Sequence, residues 1–222
     1  MSRHKGDSTV SVDQDMSFVK PEERQSSVSQ IISDLRKKNG WTLAEMSKRT
    51  GVSISSLSKI ENGQSQPAYS VLTRLASGLD VDFAELVGAE APKQRCVGAA
   101  RTISRAGEGK KLSNDMGLYE LLSTELAAKL LQPMVIEVNP RVSGHPAPQS
   151  AHSGEEFVYV LEGDVIFEMD PYAPTLMSTG DSVYFDAAQT HSFYAVGPKT
   201  GRILSICSAD TVDLLTKNLD KK

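Results

Sequence analysis

Three side chains in this sequence could work as one chemical group: His152, Glu156 and His191. His152 and Glu156 are four positions apart, an even offset, so on extended chain both would point to the same face. His191 opens a later β-rich run and could converge with them. Two imidazoles and one carboxylate suit Fe(II), with positions left open for other ligands, and Mn, Zn or Ni could also fit. The same groups would serve equally as a polar floor that hydrogen-bonds a small molecule without metal, and the spacing leaves both readings open. Val158 and Val160 share the face of Glu156, Phe193 shares that of His191, and Tyr119 and Met134 are candidates for the surrounding apolar wall. Apolar walls with a few convergent polar groups are the usual form of a small-molecule site. Each of these apolar residues could equally be ordinary core. His145 reads as a loop histidine and His4 as a solvated tail residue.

A second set of residues could read DNA. In the run GVSISSLSKIENG, Gly51 to Gly63, the outward positions of a helix beginning after Ser53 are Ile54, Ser55, Ser58 and Lys59, with Ser56 toward its N-terminal edge. Short polar side chains and long cationic ones near the start of such a helix suit base edges. Lys59 can donate to guanine, Ser55 can donate or accept, and Ile54 could pack on a thymine methyl. Between Val28 and Gly63 six basic residues face three acidic ones, the local excess that phosphate contact requires.

The elements that must position these groups follow from local signals. Residues 1–25 are polar and read as a disordered arm. Ser26 or Ser27 caps a helix over Val28–Lys38 with Ile31, Ile32 and Leu35 at helical spacing, and Asn39-Gly40 stops it. Thr42 opens a second helix and forms a capping box with Glu45. Leu43, Ala44 and Met46 are expected on its inner face. Gly51 makes the turn, Ser53 caps a third helix anchored by Leu57 and Ile60, and Asn62-Gly63 ends it. A fourth helix follows Pro67 and carries Val71, Leu72 and Leu75, and a fifth follows Asp82. This predicts a compact five-helix domain over residues 26–88, then a linker over 89–117, some of which could form an edge strand. From Leu118 the pattern turns to short strands: Leu118–Ser123, Met134–Val138, Glu156–Leu161, Asp164–Met169, Ser182–Phe185, His191–Val196 and Ile203–Cys207. Gly, Pro and Asp separate them, as in an antiparallel sandwich or barrel, here over residues 118–209, with a tail at 210–222 that begins as a short helix.

The helical half resembles the lambda-repressor/Cro-like (XRE-type) helix-turn-helix domain, from the GVS turn to the ENG stop. The resemblance places Ile54, Ser55 and Lys59 at base-contacting positions and Thr42, Ser56 and Asn62 near phosphates, with Ser53 at the start of the reading helix. Many members carry Gln where this chain has Leu43. The resemblance implies a two-fold homodimer on a roughly palindromic double-stranded operator, since one head covers one half-site. The run GHPAPQSAHSGEEFVYVLEG, Gly144 to Gly163, resembles the first cupin motif, and Gly180 to His191 the second. Ser150 stands where the family's first histidine is usual, Asp186 and Ala188 where Pro and Gly are, and Ala195 where Asn is. A four-ligand metal site is therefore not expected, while a three-ligand one stays open beside the metal-free polar floor. The fold class is multi-domain α + β: a repressor-like helical domain followed by a cupin, or double-stranded β-helix, barrel.

Composition bounds the rest. The 222 residues suffice for two small domains, and the net charge of -4 gives no global basic field. No apolar run approaches the ~20 residues of a membrane span, and the first residues hold no apolar segment of a secretory signal. Cys96 and Cys207 stand at no metal or redox spacing and read as reduced thiols of a cytoplasmic protein. The leading expectation is a transcriptional regulator whose barrel senses a small-molecule effector. The alternative is an enzyme: a bacterial epoxidase of phosphonate antibiotic synthesis also joins a repressor-like domain to a cupin and holds non-haem iron by the same His, Glu, His pattern. For a phosphonate substrate the nearest polar candidates are Arg141 and Tyr119.

Overall fold

Helix caps lay out the first half of the chain. In the computed structural model, which describes residues 27–89, 94–95, 100–142 and 144–208, five helices come first. These are α1 (Val28–Lys38), α2 (Leu43–Thr50), α3 (Ile54–Glu61), α4 (Tyr69–Leu79) and α5 (Phe83–Leu86). Ser27, Thr42, Ser53 and Asp82 each accept a backbone N–H from the first turn of the helix they precede, satisfying one of its orphan donors. Thr42 and Glu45 form the reciprocal capping box. Gly51 closes α2 in the left-handed conformation (φ 67°), which is cheap only for glycine. Ile32, Met46, Leu57, Leu72, Leu75 and Leu86 are fully buried between the helices. Each such side chain stabilises the domain by roughly 1.5–3 kcal/mol relative to exposure. One expectation fails here: Ala44 faces solvent, and Thr50 and Val52 complete that part of the core. Ala44 follows Leu43 directly, so the 100° turn per residue carries it off the buried stripe.

The second half is β. The strands are β1 (Gln94–Arg95), β2 (Lys110–Asn114), β3 (Gly117–Leu121), β4 (Leu126–Ala127), β5 (Leu131–Val138), β6 (Glu155–Glu162), β7 (Asp164–Met169), β8 (Thr175–Ser178), β9 (Ser182–Asp186), β10 (His191–Ala195) and β11 (Gly201–Ser208). Six of them form one sheet in the order β2-β3-β5-β11-β6-β9, facing a three-stranded sheet β10-β7-β8. Both sheets are antiparallel throughout, and the short β1–β4 pair is parallel. Residues 110–114, within the expected linker, are edge strand β2, paired to β3. The arm expected over residues 1–25 and the tail expected over 210–222 lie outside the described residues, as does Cys96.

Period-two alternation selects the barrel lining. Glu156, Val158 and Val160 of β6 are buried, as are Met134, Ile136 and Val138 of β5, and Ile203, Ser205 and Cys207 of β11. The register sets Cys207 directly opposite Glu156 and Ser205 opposite Met134. Polar residues thus gather on the inner faces near one end of the barrel, where β6 and β10 begin and β11 ends. The rest of the lining is apolar.

Candidate functional site

At that end, Glu156 is the centre of a buried polar cluster. His152 Nε2 and His191 Nε2 lie 3.3 and 3.4 Å from the same carboxylate oxygen, and Ser205 Oγ donates to the other at 2.6 Å. His191 opens β10, as expected. His152 does not sit on a strand with Glu156: it precedes β6, held by its backbone N–H to Ala187 O at 2.9 Å. The intervening chain turns at Gly154 (φ 92°), where a Cβ would fall 2.7 Å from Ser208 O. The even spacing reached the right pairing through a loop rather than through a shared strand face.

Hydrogen bonds at the outer nitrogens set what the inner ones can do. His152 Nδ1 faces Ser153 O at 3.2 Å and His191 Nδ1 faces Gln189 O at 2.8 Å. A carbonyl accepts, so each Nδ1 carries the proton, and in a neutral ring Nε2 then bears a lone pair. Two lone pairs aimed at one carboxylate oxygen repel unless the rings are doubly protonated or a cation lies among the three groups. Outer-shell carbonyls orienting imidazoles in this way are the usual support of metal ligands. The donor set therefore fits a divalent cation. Cys207 stands close by: its Sγ is 3.8 Å from His152 Nε2, and among the described residues the three whose ligand atoms all lie within 4.8 Å of one another are His152, Glu156 and Cys207, rather than the expected His152, Glu156 and His191.

Electrostatics agree with a charged carboxylate. Burial pushes the Glu156 carboxyl up, but when the rings are doubly protonated, hydrogen bonds from His152, His191 and Ser205 and the charge of His191 outweigh it and bring it down to about 2. The nearby thiol of Cys207 is pushed well above its ordinary range, first by burial and then by the Glu156 charge. Burial does the same to the phenols of Tyr119 and Tyr69.

The remaining expected lining residues divide. Tyr119 and Phe193 line the cavity together with Met134, and Tyr119 donates its hydroxyl to Met116 Sδ at 3.1 Å. Val158 is fully buried but does not line the cavity, because its place further along β6 carries it into the core. Ser150, where the family's first histidine would stand, lines the cavity and bridges to His191 through two backbone hydrogen bonds. Arg141 stands apart, on a separate surface groove, where it lies over the Tyr194 ring and pairs with Glu168. Sequence reasoning missed Cys207 and Ser205 as site residues, although alternation along Ile203–Cys207 would have put both on the inner face. It also missed Tyr69 of α4, whose ring lies 5.1 Å from that of His152. Nothing local marks Tyr69, because its partner is 83 residues away in the chain.

On the helical side, Ser53, Ile54, Ser55, Lys59, Asn62 and Thr42 are exposed, Ser56 is half-buried, and Leu57 and Ile60 point inward. Ile54 keeps 49% of its surface in solvent, unusual for a large aliphatic residue and consistent with a contact surface. Ser53 Oγ meets Ser55 Oγ at 3.1 Å and Ser56 Oγ at 2.8 Å, a small hydroxyl cluster at the start of α3. Arg36 belongs to the domain's interior chemistry instead: it clamps Glu61 through Nε and Nη2 and donates to Trp41 O.

Comparison with known proteins gives the same division of the chain. Residues 25–86 match the helix-turn-helix family and residues 135–207 the cupin domain family. The chain is a helix-turn-helix domain joined to a cupin. The HTH-type transcriptional regulator SutR of Escherichia coli (strain K12) is 25% identical over 175 residues, covering 78% of this chain and 89% of that protein. The crystal structure of an HTH_3 family transcriptional regulator from Vibrio cholerae is 22% identical, with a TM-score of 0.54, covering 83% of this helix-turn-helix–cupin chain and 97% of that one. Hydroxypropylphosphonic acid epoxidase from S. wedmorenis superposes with a TM-score of 0.43 at 22% identity, covering 82% and 97% of the two chains. Among the described residues, no helix is long and apolar enough to cross a membrane.

Proposed function

We propose that this helix-turn-helix–cupin protein is a sequence-specific, DNA-binding transcriptional regulator whose barrel binds an effector. The observation that carries the reading is the exposed face of α3: Ser53, Ile54, Ser55 and Lys59 face solvent while Leu57 and Ile60 anchor the helix. A groove-reading helix needs that arrangement. Lys59 and Ser55 contact base edges, Ile54 packs on a thymine methyl, and Thr42, Ser56 and Asn62 contact phosphates. A two-fold homodimer presents two such heads to an operator, in the cytoplasm. In the barrel, His152, Glu156 and His191 hold a divalent metal of the Fe, Mn, Zn or Ni class, which supplies a Lewis-acidic anchor for an effector group. Tyr119 and Phe193 form part of the wall.

A gel shift with duplex DNA from the region upstream of the protein's own gene tests this. The expected result is a discrete, salt-sensitive complex that survives competitor DNA. Failure to bind any duplex at low salt sinks the reading.

The His–Glu–His cluster also favours a second reading, an iron-dependent cupin oxygenase. Among the described residues, the lining of the cavity holds no lysine or arginine for an anionic substrate such as a phosphonate. Oxygen uptake by iron-loaded protein with candidate substrates decides for or against it.

A further inference from the structure

The cavity beside Glu156 is about 20 Å³, enough for one water molecule or one bare cation. An organic effector does not fit until something gives way. Met134, Tyr119, His152, Glu156, His191 and Cys207 are buried on or against the barrel strands. Tyr69 differs in two respects. It belongs to α4 of the helical domain, and it is half-buried where they are buried. Its ring meets His152 edge-on at 81°, and it lines the cavity together with Cys207. On its other side the ring packs on Phe83 of α5 at 5.3 Å.

We propose that Tyr69 is a wall of the barrel's binding site contributed by the DNA-binding domain, admitting only a cation or water while its ring is in place, so that any organic ligand enters by expelling it. This deepens, and rests on, the reading of the barrel as an effector site. Expulsion is transmitted because Tyr69 is the first residue of α4. Five residues on, Arg74 of the same helix donates from Nη1 to Gly51 O at 3.3 Å, in the turn between α2 and the reading helix α3. Further along, Gly78 packs against the end of α2 so closely that a Cβ would meet Arg49 O at 2.7 Å. A shift of α4 therefore reaches the two helices that must straddle a DNA backbone. The ligand's preference for the expelled state becomes a change in operator affinity.

Cys207 supplies a probe that needs no knowledge of the effector. With Cys96→Ser as background, N-ethylmaleimide can label only Cys207, at the bottom of the site. The Tyr69→Ala variant is expected to be labelled at least tenfold faster than the background protein, and Tyr69→Phe, which keeps the ring, within about threefold of it. Tyr69→Ala as well protected as the background, or background protein labelled as fast as Tyr69→Ala, overturns the proposal. A second measurement does not depend on how Tyr69→Ala folds. Once Cys207 of the background protein is labelled, the maleimide occupies the site, and amide hydrogen exchange at Val71 and Leu72, in the first turn of α4, is expected to speed at least fivefold. Full labelling with unchanged exchange there also overturns it. Labelled protein is then expected to differ at least fivefold from unlabelled in affinity for the upstream duplex, with the difference lost in Arg74→Ala. If unlabelled protein binds no DNA, the regulator reading fails by itself, while the labelling and exchange results still decide the role of Tyr69.

Discussion

The imidazole of His152 in the barrel and the phenol of Tyr69 in the helical domain meet edge to face, their centroids 5.1 Å apart. Two domains of different fold class thus share one small cavity. The contact lies beside the carboxylate that both histidines address, so the proposed ion site and the placement of the helical domain are physically adjacent.

The first consequence concerns the ion. With Ser150 where a fourth ligand would be usual, the proposed metal site depends on His152, Glu156 and His191. His152→Ala or Glu156→Gln is expected to reduce Co(II) binding at least tenfold, read from the visible spectrum and by calorimetry. Ser150→Ala is expected to leave it within about threefold. Equal loss in the serine variant would show that the hydroxyl is a ligand.

Acid should dismantle the same cluster. The Glu156 carboxyl lies at about 2 in the folded chain against an ordinary value of 4.5. A carboxyl lowered on folding contributes stability that is complete above its unfolded value and is lost as pH falls through the folded one. The melting temperature of the metal-free barrel is therefore expected to fall between pH 4.5 and 2, and that of Glu156→Gln to fall less steeply across the window. Parallel curves for the two proteins would mean that Glu156 is not held ionised.

Lys59 is the strongest single candidate for base contact. Lys59→Ala is expected to cost about 1–3 kcal/mol of operator affinity, measured by fluorescence anisotropy on the upstream duplex, with unchanged thermal stability because the side chain is exposed. Non-specific DNA should lose much less. Equal loss on both duplexes would reassign Lys59 to phosphate contact.

Arg36 should behave in the opposite way. Its guanidinium reaches Glu61 at 2.7 and 2.8 Å, and the two side chains keep only 18% and 9% of their surface exposed. Arg36→Ala strands the carboxylate of Glu61 and also the carbonyl of Trp41, at a cost of roughly 1–3 kcal/mol. A lowered melting temperature is expected, with DNA affinity near normal well below it. The count of basic residues that suggested phosphate contact thus includes one cation already committed within the fold.

Much of this architecture was legible because the signals are local. Ser27, Thr42 with Glu45, Ser53 and Asp82 announce their helices from a few residues away, and Gly51 marks the turn that only a left-handed residue makes cheaply. Strands such as β7 and β10 show in their composition and flanking turn residues. The short strands β4 and β8 escaped, since neither is long enough to display alternation: β8 buries Met177 alone. The site was half legible. His152, Glu156 and His191 carry it in their spacing, though a glycine turn rather than a strand brings His152 round. Tyr69 was invisible because the N-cap of α4, Ala68, offers no side-chain cap to mark the helix start, and its partner lies in a different domain.

The contact between α4 and α2 offers the last test, since it carries any motion of Tyr69 toward the reading helix. A Cβ on Gly78 would lie 2.7 Å from both Arg49 O and Thr50 Cα, and both are backbone atoms that cannot swing aside. Gly51, by contrast, has open space around it but a left-handed φ of 67°. Gly51→Ala should therefore cost about 1–2 kcal/mol through backbone strain alone, leaving the packing of α4 as it is. Gly78→Ala forces the two helices apart, with an overpacking cost of about 1–3 kcal/mol. Both variants should melt earlier, but only Gly78→Ala is expected to speed labelling of Cys207, because only it moves the helix that begins at Tyr69. Equal labelling rates in the two variants would disconnect α4 from the barrel's mouth.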